Sequence, residues 1–195
     1  MELEQVVSDI ADVLKFIDTS GIPFKAFQPG VGPYGEPQLL IQVAKHLKCS
    51  PHYGETVKTM RTPDLLIAGD WALEIKIARP FGNNGRVAEN WSVNLLHTYR
   101  GNTSLLGDCL KLLDHPCPER KAVLVIGYEH DPPQISLVPL VRSFEVIASE
   151  VLSIELGPRV SAQRTGLIHP VHQQLLVIGW PVGQLRAALR STARG

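Results

Sequence analysis

The chain has few cysteines, and their spacing is wrong for a structural role. Cys49, Cys109 and Cys117 are odd in number and none stands in a CxxC pair, which argues against both a disulfide framework and a zinc ribbon. Cys109, set among leucines, is expected to be a small core residue. No apolar run reaches the ~18 residues that suggest a membrane span. The N-terminal segment is acidic, without the basic-then-apolar layout of a secretory signal. Together these absences predict a reducing, cytoplasmic (intracellular) setting and no membrane partner. Internal repeats, low-complexity tracts and long linkers are missing too. No Gly-x-Ser-x-Gly elbow occurs, so the usual cue for a serine hydrolase is absent. His169 and His172 are the closest histidine pair, but Pro170 lies between them and the Glu of a helical HExxH site is lacking. These two, with His97, His115 and His130, are read as surface or strand-end histidines. Net charge is also absent, since Lys+Arg and Asp+Glu both total 19; bulk charge therefore gives no support for nucleic-acid binding.

What the chain does have is ordinary globular composition, 195 residues with 44% hydrophobic and 19% charged, enough for one domain over 1–195 with a substantial core. Its charge is unevenly distributed. Glu2, Glu4, Asp9, Asp12 and Asp18 crowd the first twenty residues, while Arg159, Arg164, Arg186, Arg190 and Arg194 lie in the last forty-five. Such asymmetry is compatible with a basic face for phosphates or with a solvated terminal helix.

Leu3, Val6, Val7, Ile10, Val13, Leu14 and Ile17 recur at helical spacing, predicting a helix over 3–18. A Gly/Pro-rich loop follows at 22–35, then a helix from Pro37 to Lys48 with Leu39, Leu40, Val43, Ala44 and Leu47 on one face. A third helix is predicted from an N-cap at Asn102 or Thr103 to Asp114, turning Leu105, Leu106, Cys109, Leu110 and Leu113 inward. Ala122–Tyr128 reads as a strand buried on both faces, and Pro139 opens a fourth helix. Residues 152–163 and 173–180 read as strands and 182–190 as a short helix. Helices interleaved with strands predict an α/β layered domain around a mixed sheet, with the third helix as a right-handed crossover between parallel strands.

The chemistry-bearing stretch is Thr62–Lys76. It reads as a β-hairpin built almost wholly of apolar residues, yet it carries Asp64, Glu74 and Lys76. The apolar pattern selects the register. A two-residue turn at Gly69-Asp70 would set Leu65 opposite Glu74 and mix charge with apolar groups on both faces. A three-residue loop, Ala68-Gly69-Asp70, pairs Ile67 with Trp71, Leu65 with Leu73 and Asp64 with Glu74. Leu65, Ile67, Trp71, Leu73, Ile75 and Ile77 then share one apolar face, and Asp64, Leu66, Ala72, Glu74 and Lys76 the other. A one-residue slip would reverse every side chain, so the odd-length loop is favoured. Opposed carboxylates destabilise a sheet unless compensated; a divalent cation and Lys76 would compensate them, and two oxygen-rich acids suit Mg²⁺. The bland alternative is an exposed Glu74–Lys76 pair beside a turn-ending Asp64. Glu119-Arg120-Lys121 repeats the acid-x-Lys spacing, but without a preceding acid-bearing hairpin.

Pro63-Asp64, a short hairpin, then Glu74-Ile75-Lys76 resembles the PD-(D/E)xK nuclease superfamily. The resemblance covers roughly residues 35–130, in αβββαβ order, and matches nothing outside that core. It implies a restriction-endonuclease-like three-layer α/β domain with a central mixed β-sheet flanked by helices. It also implies a Mg²⁺-dependent DNA endonuclease, with Mn²⁺ as a substitute, leaving 5′-phosphates. Asp64, Glu74 and the Ile75 backbone carbonyl would hold the metal, and Lys76 would orient or help deprotonate water and offset charge on phosphorus. Glu36, at the start of the preceding helix, would be an added catalytic acid; a helix N-terminus favours an acid there in any case. Arg79, Arg86, Arg100 and Lys111 are candidate phosphate-backbone contacts, and Asn83, Asn84, Asn90 and Asn94 candidate base readers or simple turn formers. A restriction-type homodimer is the favoured form, because a duplex has two strands to cut. The alternatives are a repair or mobile-element nuclease, or a catalytically inactive binding module within a DNA-processing complex.

Overall fold

The amphipathic pattern at the start of the chain folds as helix α1 (Leu3–Thr19), burying Leu3, Val6, Val7, Ile10 and Leu14 along one side. In the computed structural model, which describes residues 1–22, 29–98 and 104–183, α1 lies over one end of a six-stranded sheet. Helix α2 (Glu36–Lys48) begins one residue before Pro37 and buries the five apolar residues expected of it. The strands are β1 (Val57–Thr59), β2 (Leu65–Ile67), β3 (Trp71–Ala78), β4 (Arg120–Glu129), β5 (Val160–Arg164) and β6 (Gln174–Pro181). Their spatial order is β1-β2-β3-β4-β6-β5. Only β3 and β4 run parallel among these pairs. Their connection carries a short helix, α3 (Val93–Leu96), and α4 (Leu105–Asp114). Helix α5 (Val138–Val146) follows β4.

Alternation along the central strands divides the core in two. Leu73, Ile75, Ile77, Leu124 and Ile126 join one apolar cluster with residues of α1 and α2. Ala72, Ala78, Val123 and Val125 join a second with residues of α3, α4 and α5. The molecule is therefore an α/β fold with a mixed sheet between two helical layers.

The hairpin register is the one expected: Leu65 faces Leu73, Leu66 faces Ala72 and Ile67 faces Trp71. The six residues assigned to its apolar face all lie in the α1/α2 cluster. Pairing stops at Leu65, so Asp64 sits one position beyond the ladder.

Several expectations need correction. Helix α4 is capped by Ser104, whose hydroxyl accepts from the Gly107 N–H; Asn102 and Thr103 lie outside the described residues. Its buried stripe includes Asp108 and Leu112, while Leu110 and Leu113 are only partly buried. The strand expected over 152–163 is confined to Val160–Arg164, and α5 continues as a π-helical turn over Ile147–Val151. The preceding segment contributes a single bridge, Leu156 to Val182. Val182 is thus bridge rather than helix, and 184–190 lies outside the described residues. Strand β1 was legible only through the resemblance. His169 and His172, expected at the surface or a strand end, are both buried, and His172 lies two residues before β6. The uneven charge is partly cancelled by folding: α1 packs against β5, and Arg164 pairs with Asp12 at 2.7 Å. Among the described residues, no helix is long and apolar enough to cross a membrane.

Candidate active site

Where β2 ends early, β3 is left with backbone donors that no strand satisfies, and carboxylates take the missing places. The Ile75 N–H donates to Asp64 Oδ2 at 2.8 Å, and the Ile77 N–H to Glu36 Oε2 at 3.3 Å. A strand residue turns its N–H and C=O to the same side, so the Ile75 carbonyl shares the edge at which Asp64 sits. The hairpin and the first turn of α2 thereby fix two acids against one strand.

On the other face of β3, Glu74 and Lys76 point toward α4. Lys76 Nζ lies 2.8 Å from Asp108 Oδ2 and 3.2 Å from Glu36 Oε1. Lys111 Nζ lies 2.9 Å from Asp108 Oδ1 and 3.1 Å from Glu74 Oε2. The chain Glu36–Lys76–Asp108–Lys111–Glu74 thus ties α2, β3 and α4 together. Glu74 is fully buried, and its Oε1 has no donor. Burial, then repulsion from Asp64 and Asp108, pushes the Glu74 carboxyl up to about 8 against the pull of Lys111. Burial also raises Glu36, opposed by Lys76. Burial pulls the Lys76 ammonium down, but Glu36, Asp108 and Asp64 outweigh it and the net shift is upward. Lys111 is raised in the same way, by Asp108 and Glu74 against burial.

Asp64, Glu74, Lys76 and Glu36 are therefore brought together. Lys111, a candidate phosphate contact, joins them as an ion-pair partner of Glu74 and Asp108, and its side chain keeps one exposed side. Arg79 lines an adjoining cleft, its guanidinium donating to the Tyr34 carbonyl. Arg86 is exposed on a turn closed by the Phe81–Val87 bridge and does not line that cleft. Arg100 lies outside the described residues.

Asp108 is the member that sequence reasoning missed. It stands three residues after Leu105 and four before Leu112, on the buried stripe of α4. An acid in a leucine stripe is the signal that was available. The competing acid-x-Lys set has structural work: the Glu119 carboxylate accepts from the Gly69 N–H, Arg120 stacks on Trp71, and Lys121 binds the Leu113 and His115 carbonyls at the end of α4.

The donor set fits a divalent cation. Four carboxylates (Glu36, Asp64, Glu74, Asp108) against two ammonium groups (Lys76, Lys111) leave an excess of two negative charges when all are ionised. The unpartnered Glu74 Oε1 is the atom such an ion would satisfy. Among the described residues no group of three or more His, Cys, Asp or Glu is arranged to hold a metal; a Mg²⁺ site needs only one or two carboxylates, with other oxygens completing its shell. No family model matches the chain, and neither the curated proteins nor the solved structures give a significant match.

Proposed function

We propose that this protein is a Mg²⁺-dependent DNA endonuclease with a restriction-endonuclease-like core, acting as a restriction-type homodimer. The observation that carries the reading is the convergence of Asp64, Glu74 and Lys76 at the open end of the hairpin, with Glu36 from α2 against the same strand. The α2, β1–β2–β3, α4, β4 order with parallel β3 and β4 supports it. Asp64, Glu74 and the Ile75 carbonyl would hold the ion, which when bound polarises the phosphate and makes water more acidic.

The chain's own groups divide the remaining work. Lys76, with its ammonium held upward by three carboxylates, stays protonated near neutral pH. It is therefore suited to offset negative charge at phosphorus. Glu36, with its carboxyl raised by burial and part of its surface open, is the acceptor for the proton of the attacking water. Asp108 holds Lys76 and Lys111 in place from α4.

The test is the chemistry of the ends. Supercoiled DNA incubated with the protein and Mg²⁺ should yield breaks that DNA ligase reseals directly, as 5′-phosphates and 3′-hydroxyls require. Asp64→Ala should make none. Breaks that need prior phosphorylation before sealing would contradict the assigned mechanism.

A further inference from the structure

Beside the carboxylate cluster, the chain leaving β3 encloses a cleft of about 350 Å³, bounded by Glu36, Arg79, Asn83, Glu89, Trp91 and Asn94. We infer that this cleft receives an unpaired nucleobase bearing an exocyclic amino group, from the DNA strand being cut; the inference rests on the nuclease reading above.

The size falls within the range of about 300–1,000 Å³ typical of small-molecule sites, and the cleft is concave, so a base pair still stacked in a duplex cannot enter it. A base must leave the stack, or already be outside it. The lining suits a base better than a phosphate. Of the three tryptophans, Trp71 and Trp180 are 3% and 1% exposed, whereas Trp91 is partly open and lines the cleft. An indole supplies a surface on which a base can stack. Asn83 and Asn94 each offer an amide donor and an acceptor, and Asn83 Oδ1 is buried with no donor of its own. Two carboxylates, Glu36 and Glu89, line the cleft against one Arg79. With Lys76 paired to Glu36 the lining carries no surplus of positive charge to hold a phosphate, while the Glu89 carboxylate and the Asn oxygens can accept from the amino groups of cytosine, adenine or guanine. Glu36 also pairs with Lys76, so a base in the cleft belongs to a nucleotide next to the phosphate under attack.

Fluorescence and cleavage separate this inference from the reading beneath it. With Ca²⁺ replacing Mg²⁺, single-stranded oligo-dC or oligo-dA should quench the emission of the full chain, and oligo-dT or a blunt duplex should quench it little. Trp91→Ala should lose the quench and weaken oligo-dC binding about tenfold, the scale of one lost stacking contact; Trp91→Phe should restore the affinity. With Mg²⁺, a duplex carrying one bulged cytosine should be cut faster than the fully paired duplex, and Trp91→Ala should narrow that ratio. If wild type cuts both duplexes equally and Trp91→Ala slows both alike, the base cleft is overturned while the nuclease stands. If nothing is cut but the quench by oligo-dC persists and depends on Trp91, the cleft stands and the nuclease falls.

Discussion

Glu74 is buried, sits beside two other acids and has one oxygen without a donor, so neutralising it should stabilise the chain above neutral pH. The sign follows from the two titrations. The unfolded carboxyl titrates near 4.5 and the folded one near 8; between them the folded state keeps a proton that the unfolded state has released. Stability therefore falls as pH rises through that window. Glu74→Gln should match wild type below pH 4 and exceed it by about 1–3 kcal/mol at pH 8.5, the scale of an uncompensated buried group. Denaturant melts in EDTA at several pH values measure this; equal pH dependence in the two proteins would contradict it. Asp108 makes a second prediction. Asp108→Asn should lower cleavage about 10–100-fold, the usual effect of losing a residue that orients an active-site group. It should also move the pH–rate profile down, because one source of repulsion on Glu74 is gone. Loss of activity without that shift would mean that Asp108 is merely structural.

Among the elements, the hairpin was the most legible from sequence, and the reason is its period. Six apolar side chains at alternate positions leave one register that buries them all, and that register places Glu74 and Lys76 opposite α4. Helix α4 was less legible. Its apolar residues are dense enough to suit several faces, so periodicity turns Leu110 and Leu113 inward and singles out no role for Asp108. Only the packing against β3 shows that Asp108 lies inward. Strand β1 has three residues with Lys58 and Thr59 exposed, too short for alternation to register. The cap of α4 lends itself to a direct test. Ser104→Ala removes the acceptor for the Gly107 N–H and should cost about 1 kcal/mol in urea denaturation. Because α4 carries Asp108 and Lys111, it should lower activity as well. An unchanged midpoint would show that the cap contributes nothing.

For the molecule as a whole, the segment that leads into Glu36 is held by distant parts of the chain. Asp18 of α1 accepts from the Val31 and Ile168 N–H groups, and an added Cβ on Gly32 would lie 2.2 Å from His172 Nδ1. Gly32→Ala should therefore destabilise the fold by about 1–3 kcal/mol, the range for overpacking a buried site, with a matching fall in Tm; an unaltered Tm would mean that the loops are not pinned there. These long-range contacts, and the burial of His169 and His172 that accompanies them, carry no periodic signal and were not readable in advance. The proposed function has this assembly cut DNA with the Asp64–Glu74–Lys76 cluster. The most direct measurement is the nicking of supercoiled plasmid in Mg²⁺, compared with EDTA and with Lys76→Ala, a variant that leaves the proposed metal ligands in place. Wild type should nick only with the metal, and Lys76→Ala should be slower by about 10²–10³-fold, as when one electrostatic stabiliser is removed. Plasmid left intact by wild type in Mg²⁺ and in Mn²⁺, or cut equally fast by Lys76→Ala, would contradict the account.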